Sequence, residues 1–464
     1  MTAAGRPDFT YHAVYRYLAT LIAETEPGQH FKLPSLRDLA KRLDVSISTV
    51  QYAYSLLETE GKIYSVARSG YYAQPPTRSV CQGHYSDILD YMQNSALRWD
   101  AEVFSGSDPT VLGTIDAHLL KLERDWVRQR ALMPGTWQPY GDLALRRVLA
   151  ARYTSSPEAC WCAEHVYVGV DFRAVLEILC QAITVKGACV LVTSPCSWPL
   201  LRVLKSAGAR VLELELGEDG SVDLNSLERM LGQLPIRLAV LSSSVNAPHG
   251  SVFTDDCKLE VASLLNHHGV WCVENDTYGE LGYKATLRMR DLLDPQRLLV
   301  LGTLEKVLGA EASYGYVLSR HFTQELRQLF MQRTFRLAPI RQKAIAALYT
   351  GGHVDLYLQA QRSRLGEHLP AIAQQVRKTL VEHMHCLEPQ GGATLWLRAR
   401  HRVNMRQVFE QLVRQGFVIA PGEIFSLQGL HDQCLRVDGT GTDADRLNRL
   451  CQALAAALIR ERER

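Results

Sequence analysis

The fold of the N-terminal region is decided by residues 32–72, KLPSLRDLAKRLDVSISTVQYAYSLLETEGKIYSVARSGYY. Apolar residues recur at helical spacing on both sides of Asp44, which predicts two short helices joined by a tight turn. Ser35 and Ser46 stand at the two helix starts, where a serine hydroxyl can accept a hydrogen bond from a first-turn amide. Two short apolar runs then flank a turn at residues 67–70 and predict a β-hairpin.

The second predicted helix has a polar outward face. With its apolar residues turned inward, it leaves Ser48, Thr49, Gln51 and Tyr52 outward. These side chains can form hydrogen bonds, as expected of a helix that enters a DNA major groove. An ordinary helical hairpin would show the same apolar spacing, so the DNA-binding interpretation depends on the complete string of residues.

That string resembles the winged helix-turn-helix of GntR-type bacterial transcription regulators. The matching residues are Leu33-Pro34-Ser35-x-Arg37-x-Leu39-Ala40, Val45-Ser46-x-x-Thr49-Val50, Ala53, Leu57-Glu58, Gly61 and Gly70. The resemblance implies that Arg37, Ser48 and Thr49 contact phosphates or bases of double-stranded DNA and that Gly70 shapes the wing. Many relatives carry arginine where this chain has Ile47, so the operator sequence does not follow from the resemblance.

Composition favours a soluble globular protein of two or three domains. The chain has 464 residues, of which 47% are hydrophobic and 22% charged. No apolar run approaches the ~20 residues of a membrane helix, and the N-terminus lacks the apolar centre of a signal peptide. We therefore expect a cytoplasmic protein that does not contact a membrane.

The cysteines and the net charge narrow the possible partners. Eleven cysteines without regular spacing indicate reduced thiols. The close pair Cys160 and Cys162 lacks a second pair at zinc spacing, so we expect no metal site. A net charge of +2 is too small for a general polyanion binder. Specific DNA binding then needs more than one copy of the domain, which favours a homodimer.

Breaks in the sequence pattern predict the domain boundaries. A first helix is predicted from Tyr11 to Glu24, before the two capped helices. A stiff polar segment follows the hairpin. We predict a winged-helix domain at residues 1–76, a linker at 77–84 and a second domain at 85–464, with a smaller α+β region from about residue 345.

The second domain alternates strands and helices. Buried strands are predicted at His165–Gly169, Ala188–Thr193, Arg210–Leu214, Leu238–Ser242, Val270–Val273, Leu298–Gly302 and Gly315–Leu318. Helical stretches lie between most of them. This alternation predicts a mostly parallel sheet that is covered on both faces, and hence an α/β fold.

Local phrases in this domain resemble the fold-type I pyridoxal-phosphate aminotransferases. The phrases are Tyr140-Gly141-Asp-Leu-Ala-Leu-Arg146, Pro195-Cys-Ser197, Val273-Glu-Asn-Asp-Thr-Tyr278, Thr303-Leu-Glu-Lys306, Gly391-Gly392…Trp396-Leu397, Ala420-Pro-Gly422…Phe425-Ser426 and Leu435-Arg436. A winged helix joined to such a domain resembles the MocR subfamily of GntR regulators. The resemblance implies a pyridoxal 5'-phosphate cofactor, a small-molecule effector and a head-to-tail homodimer.

The same resemblance assigns candidate site residues. Lys306 follows a buried strand and matches the lysine that bonds the cofactor. Asp276 is the candidate partner of the ring nitrogen, and Tyr278 can reach the ring hydroxyl. The usual motif has two acids here, and one of them is Asn275, so which of the two residues faces the ring stays open. Arg436 matches the arginine that clamps a substrate carboxylate, or forms a structural salt bridge.

The sequence departs from the family pattern at the expected phosphate site. Val170 and Asp171 replace a small polar pair at a helix N-terminus, and Ser313 replaces an arginine. A carboxylate ~4 Å from a phosphate charge costs ~4 kcal/mol at an effective dielectric of 20. Three hypotheses follow: a regulator that senses its ligand through pyridoxal phosphate, a regulator without cofactor, and a working aminotransferase. The departures disfavour turnover.

Overall fold

The computed structural model of the chain describes residues 11–23, 31–66, 69–73, 87–98, 100–106, 113–129, 137–157, 159–441 and 444–463. The chain divides into two compact units, residues 1–101 and 102–464. The predicted linker at residues 77–84 lies outside the described residues, so the predicted domain boundaries stay predictions.

The first unit is a winged helix followed by one further helix. Its elements are α1 (Tyr11–Ala23), α2 (Leu36–Leu43), α3 (Ile47–Thr59), β1 (Ile63–Val66), β2 (Gly70–Ala73) and α4 (Ile88–Ala96). The strands β1 and β2 pair antiparallel, with Ile63 opposite Ala73. The predicted helices and hairpin are confirmed.

Helices α1, α2 and α3 bury one shared apolar cluster. Val14, Leu18, Leu39 and Val50 are buried in it. The fully buried Tyr54 also belongs to this core, and its hydroxyl donates to the Pro34 carbonyl at 2.7 Å. The sequence pattern did not mark Tyr54 as a core residue, because a tyrosine fits both a buried and an exposed helix position.

Serine caps and a left-handed residue set the angle between α2 and α3. The Ser35 hydroxyl accepts from the Asp38 amide at 3.2 Å, and the Ser46 hydroxyl accepts from the Thr49 amide at 3.1 Å. Between the two helices, Asp44 has φ 53° and its amide donates to the carbonyl of Ala40. Each cap satisfies an amide that would otherwise have no partner within the helix.

The second unit contains two sheets and their covering helices. Its strands are β3 (Glu102–Val103), β4 (Val166–Gly169), β5 (Cys189–Ser194), β6 (Arg210–Glu215), β7 (Ile236–Ser242), β8 (Val245–Asn246), β9 (Ser251–Val252), β10 (Trp271–Asn275), β11 (Leu298–Thr303), β12 (Gly315–Ser319), β13 (Met384–Cys386), β14 (Thr394–Ala399), β15 (Phe417–Val418), β16 (Ala420–Pro421) and β17 (Cys434–Asp438). Its helices are α5 (Gly113–Gln129), α6 (Leu143–Tyr153), α7 (Phe172–Ile183), α8 (Trp198–Ser206), α9 (Leu224–Gln233), α10 (Asp255–His267), α11 (Glu305–Leu308), α12 (Thr323–Arg333), α13 (Pro339–Thr350), α14 (His353–Thr379), α15 (Met405–Arg414) and α16 (Ala444–Arg462).

A seven-stranded sheet in the order β4-β12-β11-β10-β7-β5-β6 forms the centre of this unit. The pairs from β11 through β6 are parallel, whereas β12 runs antiparallel to both β11 and β4. All seven predicted strands are present. Most of their residues are buried, as expected when helices cover both faces.

The smaller region follows the long helix α14. Four strands in the order β13-β14-β17-β16 form its antiparallel sheet. Helix α14 contacts β13 and β14, while α15 packs against α16. The predicted α+β character of this region is confirmed. Among the described residues, no helix is both long enough and apolar enough to cross a membrane.

Two buried histidines lie where the small region meets the central sheet. His431 Nε2 lies 2.9 Å from the Ser194 hydroxyl, which donates to Glu213 at 2.6 Å. His249 Nδ1 lies 2.9 Å from the hydroxyl of Ser251. Burial, followed by the charge of a nearby histidine or arginine, lowers the pKa of both His249 and His431 to about 4. Both rings are therefore neutral at pH 7.

We predict that acidification destabilises the second unit. The pKa of each histidine rises from about 4 to about 6.5 on unfolding, so the unfolded state binds more protons between these pH values. The free energy of unfolding should fall as the pH decreases through this window, by up to roughly 3 kcal/mol per histidine. Urea denaturation between pH 7 and pH 4 measures this slope. His431→Gln should make it shallower, whereas His267→Gln, at an exposed position, should not.

Candidate DNA-contact surface and cofactor site

Helix α3 presents its polar side chains away from the core of the first unit. Ser48 and Gln51 are exposed, and Tyr52 keeps 51% of its surface exposed while its ring edge packs against Tyr11. Ile47, at the start of the helix, is 48% exposed. The surface formed by α3 can therefore offer both hydrogen bonds and an apolar contact to a DNA groove.

The two predicted serine and threonine contacts share one hydroxyl partner. The Oγ of Ser46 lies 2.8 Å from Ser48 Oγ and 2.7 Å from Thr49 Oγ1. This arrangement orients both hydroxyls at the N-terminus of α3. Thr49 is half-buried, so Ser48 is the more accessible of the two. Their assignment as DNA contacts stays a prediction.

Two exposed cations accompany this surface. Arg37 lies exposed in the first turn of α2, as required of a phosphate contact. Gly70 has φ +117° at the start of β2, and a Cβ built there would lie 3.4 Å from Lys32 Cε. Lys32 therefore lies beside the wing, a position that sequence reasoning missed because Lys32 and Gly70 are far apart in the chain. Arg68, the cationic residue of the predicted turn at residues 67–70, lies outside the described residues.

Lys306 lies at the carboxyl edge of the central sheet, in the short helix α11 that follows β11. Its side chain is 13% exposed, and its Nζ lies 3.7 Å from Glu305 Oε1. The Glu305 amide donates to Thr303 Oγ1 at 3.2 Å, which fixes the turn between strand and helix. A nearly buried amine at a strand end can form a covalent bond with a carbonyl cofactor.

The N-terminus of α7 lies at the expected phosphate site. The carboxylate of Asp171 caps the helix and accepts from the Ala174 amide at 2.8 Å. Asp171 is therefore directed at the helix amides. Val170 is exposed just before it, and Ser313 is exposed as well. A carboxylate cap satisfies the first turn and adds a negative charge where a phosphate would bind.

A cation lies at the same helix end. The guanidinium of Arg173 stacks on the ring of Trp198 at 4.7 Å. Arg173 belongs to the first turn of α7, and Trp198 begins α8. The contact with Trp198 therefore fixes the direction of one guanidinium in the first turn of α7.

Asp276 belongs to a buried polar cluster. Its carboxylate accepts from the Tyr153 hydroxyl and lies 3.5 Å from Arg290 Nη1, which is also 3.0 Å from Glu274. The hydroxyls of Tyr153 and Tyr316 lie 2.8 Å apart. Burial would lower the pKa of Arg290, but the charges of Glu274 and Asp276 outweigh burial and raise it. Burial raises the pKa of Glu274, and the charge of Arg290 opposes that shift.

Alternation along β10 separates Asn275 from this cluster. Glu274 and Asp276 share one side of the sheet, whereas Val273 packs in the apolar cluster that contains α7 and α8. Asn275 has the same parity as Val273 and is half-buried. Its Oδ1 accepts from the amide and the hydroxyl of Thr277 at 3.2 and 2.6 Å. Asn275 therefore faces the α7 side of the sheet, on which the expected phosphate site lies. The assignment of Asp276 to the ring nitrogen stays a prediction.

The two remaining predicted residues lie in different parts of this unit. Tyr278 is half-buried, three residues beyond the end of β10. Arg436 is buried in β17, stacks on the ring of Phe425 at 5.0 Å and donates to the carbonyl of Ser105. The role of Arg436, as a clamp for a ligand carboxylate or as part of a structural salt bridge, stays a prediction. The hydrogen bond to Ser105 could not be predicted from sequence, since Ser105 lies 331 residues earlier.

Comparisons with known proteins agree with this architecture. The model of the aminotransferase class I and II family matches residues 116–454, and the model of the bacterial regulatory proteins of the gntR family matches residues 10–72. The uncharacterized HTH-type transcriptional regulator YjiR of Escherichia coli is 28% identical, over 91% of this chain and 94% of that protein. YdcR, a second such regulator of that species, is 25% identical over 86% and 88%.

Among solved structures, the second unit is similar to a multiple substrate aminotransferase from Thermococcus profundus. The TM-score is 0.71 at 17% identity, over 82% of this chain and 96% of that one. The α-aminoadipate aminotransferase LysN of Thermus thermophilus gives 0.70 at 18% identity, with the same coverage. These two likenesses establish the fold. The chain belongs to the aminotransferase class I and II family and carries an N-terminal gntR-family domain, the combination found in MocR-type transcription regulators.

Proposed function

We propose that this DNA-binding transcription regulator senses a small ligand through pyridoxal 5'-phosphate held on Lys306, without turning the ligand over. The observation that carries the proposal is the pair of side chains at the sheet edge: a nearly buried lysine amine and, on the α7 side, the neutral amide of Asn275. The first can hold the cofactor, and the second limits its chemistry. We further propose that the regulator acts as a homodimer.

Asn275 explains why binding need not lead to turnover. The cofactor acts as an electron sink in amino-group chemistry, most strongly when its ring nitrogen is protonated. A carboxylate favours that proton by charge, whereas an amide carries no charge. On the other side of the sheet, one oxygen of Asp276 accepts from Tyr153, and the other lies 3.5 Å from Arg290 without a hydrogen bond. An amide at the ring would thus support binding and disfavour amino-group transfer.

Opposing charges at the N-terminus of α7 would act on the cofactor phosphate. Arg173 supplies a positive charge, and the helix N-terminus adds a partial one. The carboxylate of Asp171 opposes both. The negative charge of Asp171 favours the second candidate function, a regulator whose second unit binds its effector without any cofactor.

Arg436 would connect ligand binding to the start of the second unit. A ligand carboxylate at Arg436 would compete with the carbonyl of Ser105 for the guanidinium. Ser105 follows β3, and the Phe104 amide donates to the Val418 carbonyl at 2.7 Å. This segment directly follows the first unit in the chain, so the proposed signal would reach the winged helix along the connecting chain.

We predict that Lys306→Ala removes the visible absorption band that wild-type protein develops with added pyridoxal phosphate. The lysine amine is the group that bonds the cofactor. Absorption spectroscopy of the purified full-length protein measures the band. Lys205→Ala, an exposed lysine of α8, is the matched control and should keep it. A band unchanged by Lys306→Ala contradicts the proposal, and a colourless wild type that still binds DNA supports the cofactor-free regulator.

Substitutions at Asn275 and Asp276 should have different effects. Asp276→Asn removes a charge beside Arg290 in a buried cluster, so stability should fall by roughly 2 kcal/mol. The spectrum of the bound cofactor should stay unchanged. Asn275→Asp should alter that spectrum, because it places a carboxylate on the α7 side. Thermal unfolding and absorption spectroscopy give the two readouts, and a spectral change only in Asp276→Asn would reverse the assignment.

We predict that Arg37→Ala and Ser48→Ala weaken DNA binding in different ways. Operator sequences are first selected from a random pool with the full-length protein. Arg37→Ala should lower the affinity for every selected sequence and reduce the salt slope by about 1, because it removes one phosphate contact. Ser48→Ala should instead relax the preference at one base position. Binding measured at several salt concentrations distinguishes the two effects.

Lys62→Ala is the matched control for DNA binding. Lys62 is exposed, but its charge is paired with Glu60 at 2.7 Å, so its loss should change affinity little. If Arg37→Ala binds as wild type does while Lys62→Ala does not, the assigned contact surface is wrong.

A further inference from the structure

A positively charged cleft opens at the end of β14 in the second unit. Its volume is about 440 Å³. The charged and titratable residues of its lining are Glu218, His385, Arg398, Arg400, His401 and Arg402. Three arginines thus converge with a single acid, in a chain whose total net charge is only +2. Such a concentration of positive charge favours a negatively charged ligand.

The single acid neutralises only part of this charge. Glu218 Oε1 lies 3.2 Å from Arg398 Nη1, and both side chains are about half-exposed or more. An exposed ion pair of this kind is weak and readily exchanged for a stronger anion. Arg400 and Arg402 are exposed at the rim of the same cleft.

The backbone that carries these arginines is fixed. The amide of Arg400 donates to the His383 carbonyl at 2.8 Å, immediately after β14. Gln433 then holds Val403 from both sides: its Oε1 accepts from the Val403 amide at 2.9 Å, and its Nε2 donates to the Val403 carbonyl at 3.1 Å. The turn at residues 400–403 is therefore held at both ends. A ligand would therefore meet arginines on a fixed backbone, and binding would have to order only their side chains.

Size and shape favour a small molecule. A volume of about 440 Å³ falls within the range of small-molecule sites, roughly 300–1,000 Å³. A smaller cavity of about 30 Å³ shares Glu218, His385 and Arg398 with the cleft, so the recess extends inward toward Trp396. A DNA duplex is too wide to enter a cleft of this volume and could touch only its rim.

We propose that this cleft binds a small phosphate-bearing anion through Arg398, Arg400 and Arg402. The planar guanidinium group matches two phosphate oxygens at once, and several together suit a ligand with more than one negative charge. The residues predicted to hold pyridoxal phosphate do not line this cleft. The site would give the regulator a second input, and the proposal is independent of whether Lys306 holds a cofactor.

Calorimetry of the full-length protein with inorganic pyrophosphate tests the proposal. The wild type should bind, and the double variant Arg400→Ala/Arg402→Ala should bind at least about tenfold more weakly, since two charge-assisted contacts are lost. Both positions are exposed, so the thermal midpoint should stay unchanged. Arg237→Ala, an exposed arginine of β7 outside the cleft, is the matched control and should bind as the wild type does.

Glu218→Gln tests the sign of the effect. It removes the one negative charge and releases Arg398, so pyrophosphate should bind about two- to fivefold more tightly. A purely structural role of this ion pair predicts no such gain. Equal affinity in wild type and both cleft variants overturns the proposal.

Two further outcomes would assign the cleft differently. Tighter binding of citrate than of pyrophosphate would show a carboxylate site and overturn the phosphate class. If the double variant loses affinity for the selected DNA but keeps its affinity for pyrophosphate, the arginines contact the DNA backbone and the small-molecule proposal is wrong.

Discussion

The hydrogen bonds of β10 to both of its neighbours fix which side of the central sheet each of its side chains faces. Asn275 pairs in register with Ser242 of β7 and with Leu301 of β11, so its side chain cannot change sides without breaking two ladders. A slip by one residue would exchange Asn275 and Asp276. It would also turn Glu274 and Asp276 away from Arg290 and leave that buried cation without either carboxylate, which is strongly unfavourable. The stability of the sheet and the chemistry of its edge therefore depend on the same contacts.

The first unit has a different constraint. The polar residues at the start of α3 must stay outside the apolar core, and their side chains must still have a fixed direction. The three helices and the hairpin satisfy their packing through Val14, Leu39, Val50 and other buried residues. The polar residues at the start of α3 are then oriented by Ser46, which caps the helix and contacts two neighbouring hydroxyls. A rigid helix start costs less ordering entropy when it binds a groove.

Local patterns in the sequence predicted most of the fold. The serine caps and all seven central strands were found because they depend on spacing within a few residues. The direction of Asp276 could not be found in this way. Its partner Tyr153 lies 123 residues earlier, and nothing in the sequence near either residue indicates the contact. The contact between Arg436 and Ser105 also joins residues that are distant in the chain. The site could therefore be predicted only by resemblance to a family. A resemblance does not determine which side chain faces the ligand.

A regulator that binds its ligand without turning it over, as proposed, must still change its state on binding. The free energies involved limit how it can do so. Moving an equilibrium from 1:99 to 99:1 needs a difference in ligand affinity of ~5.5 kcal/mol between the two states. A bond to Lys306 that is equally strong in both states contributes nothing to that difference. The guanidinium of Arg436 would differ in this respect, since a ligand carboxylate bound there would have to displace the Ser105 carbonyl. One charge-assisted hydrogen bond gives ~1.5–3 kcal/mol. Full switching therefore requires further contacts, and a second anion in the cleft at β14 could supply them if it too binds the two states unequally.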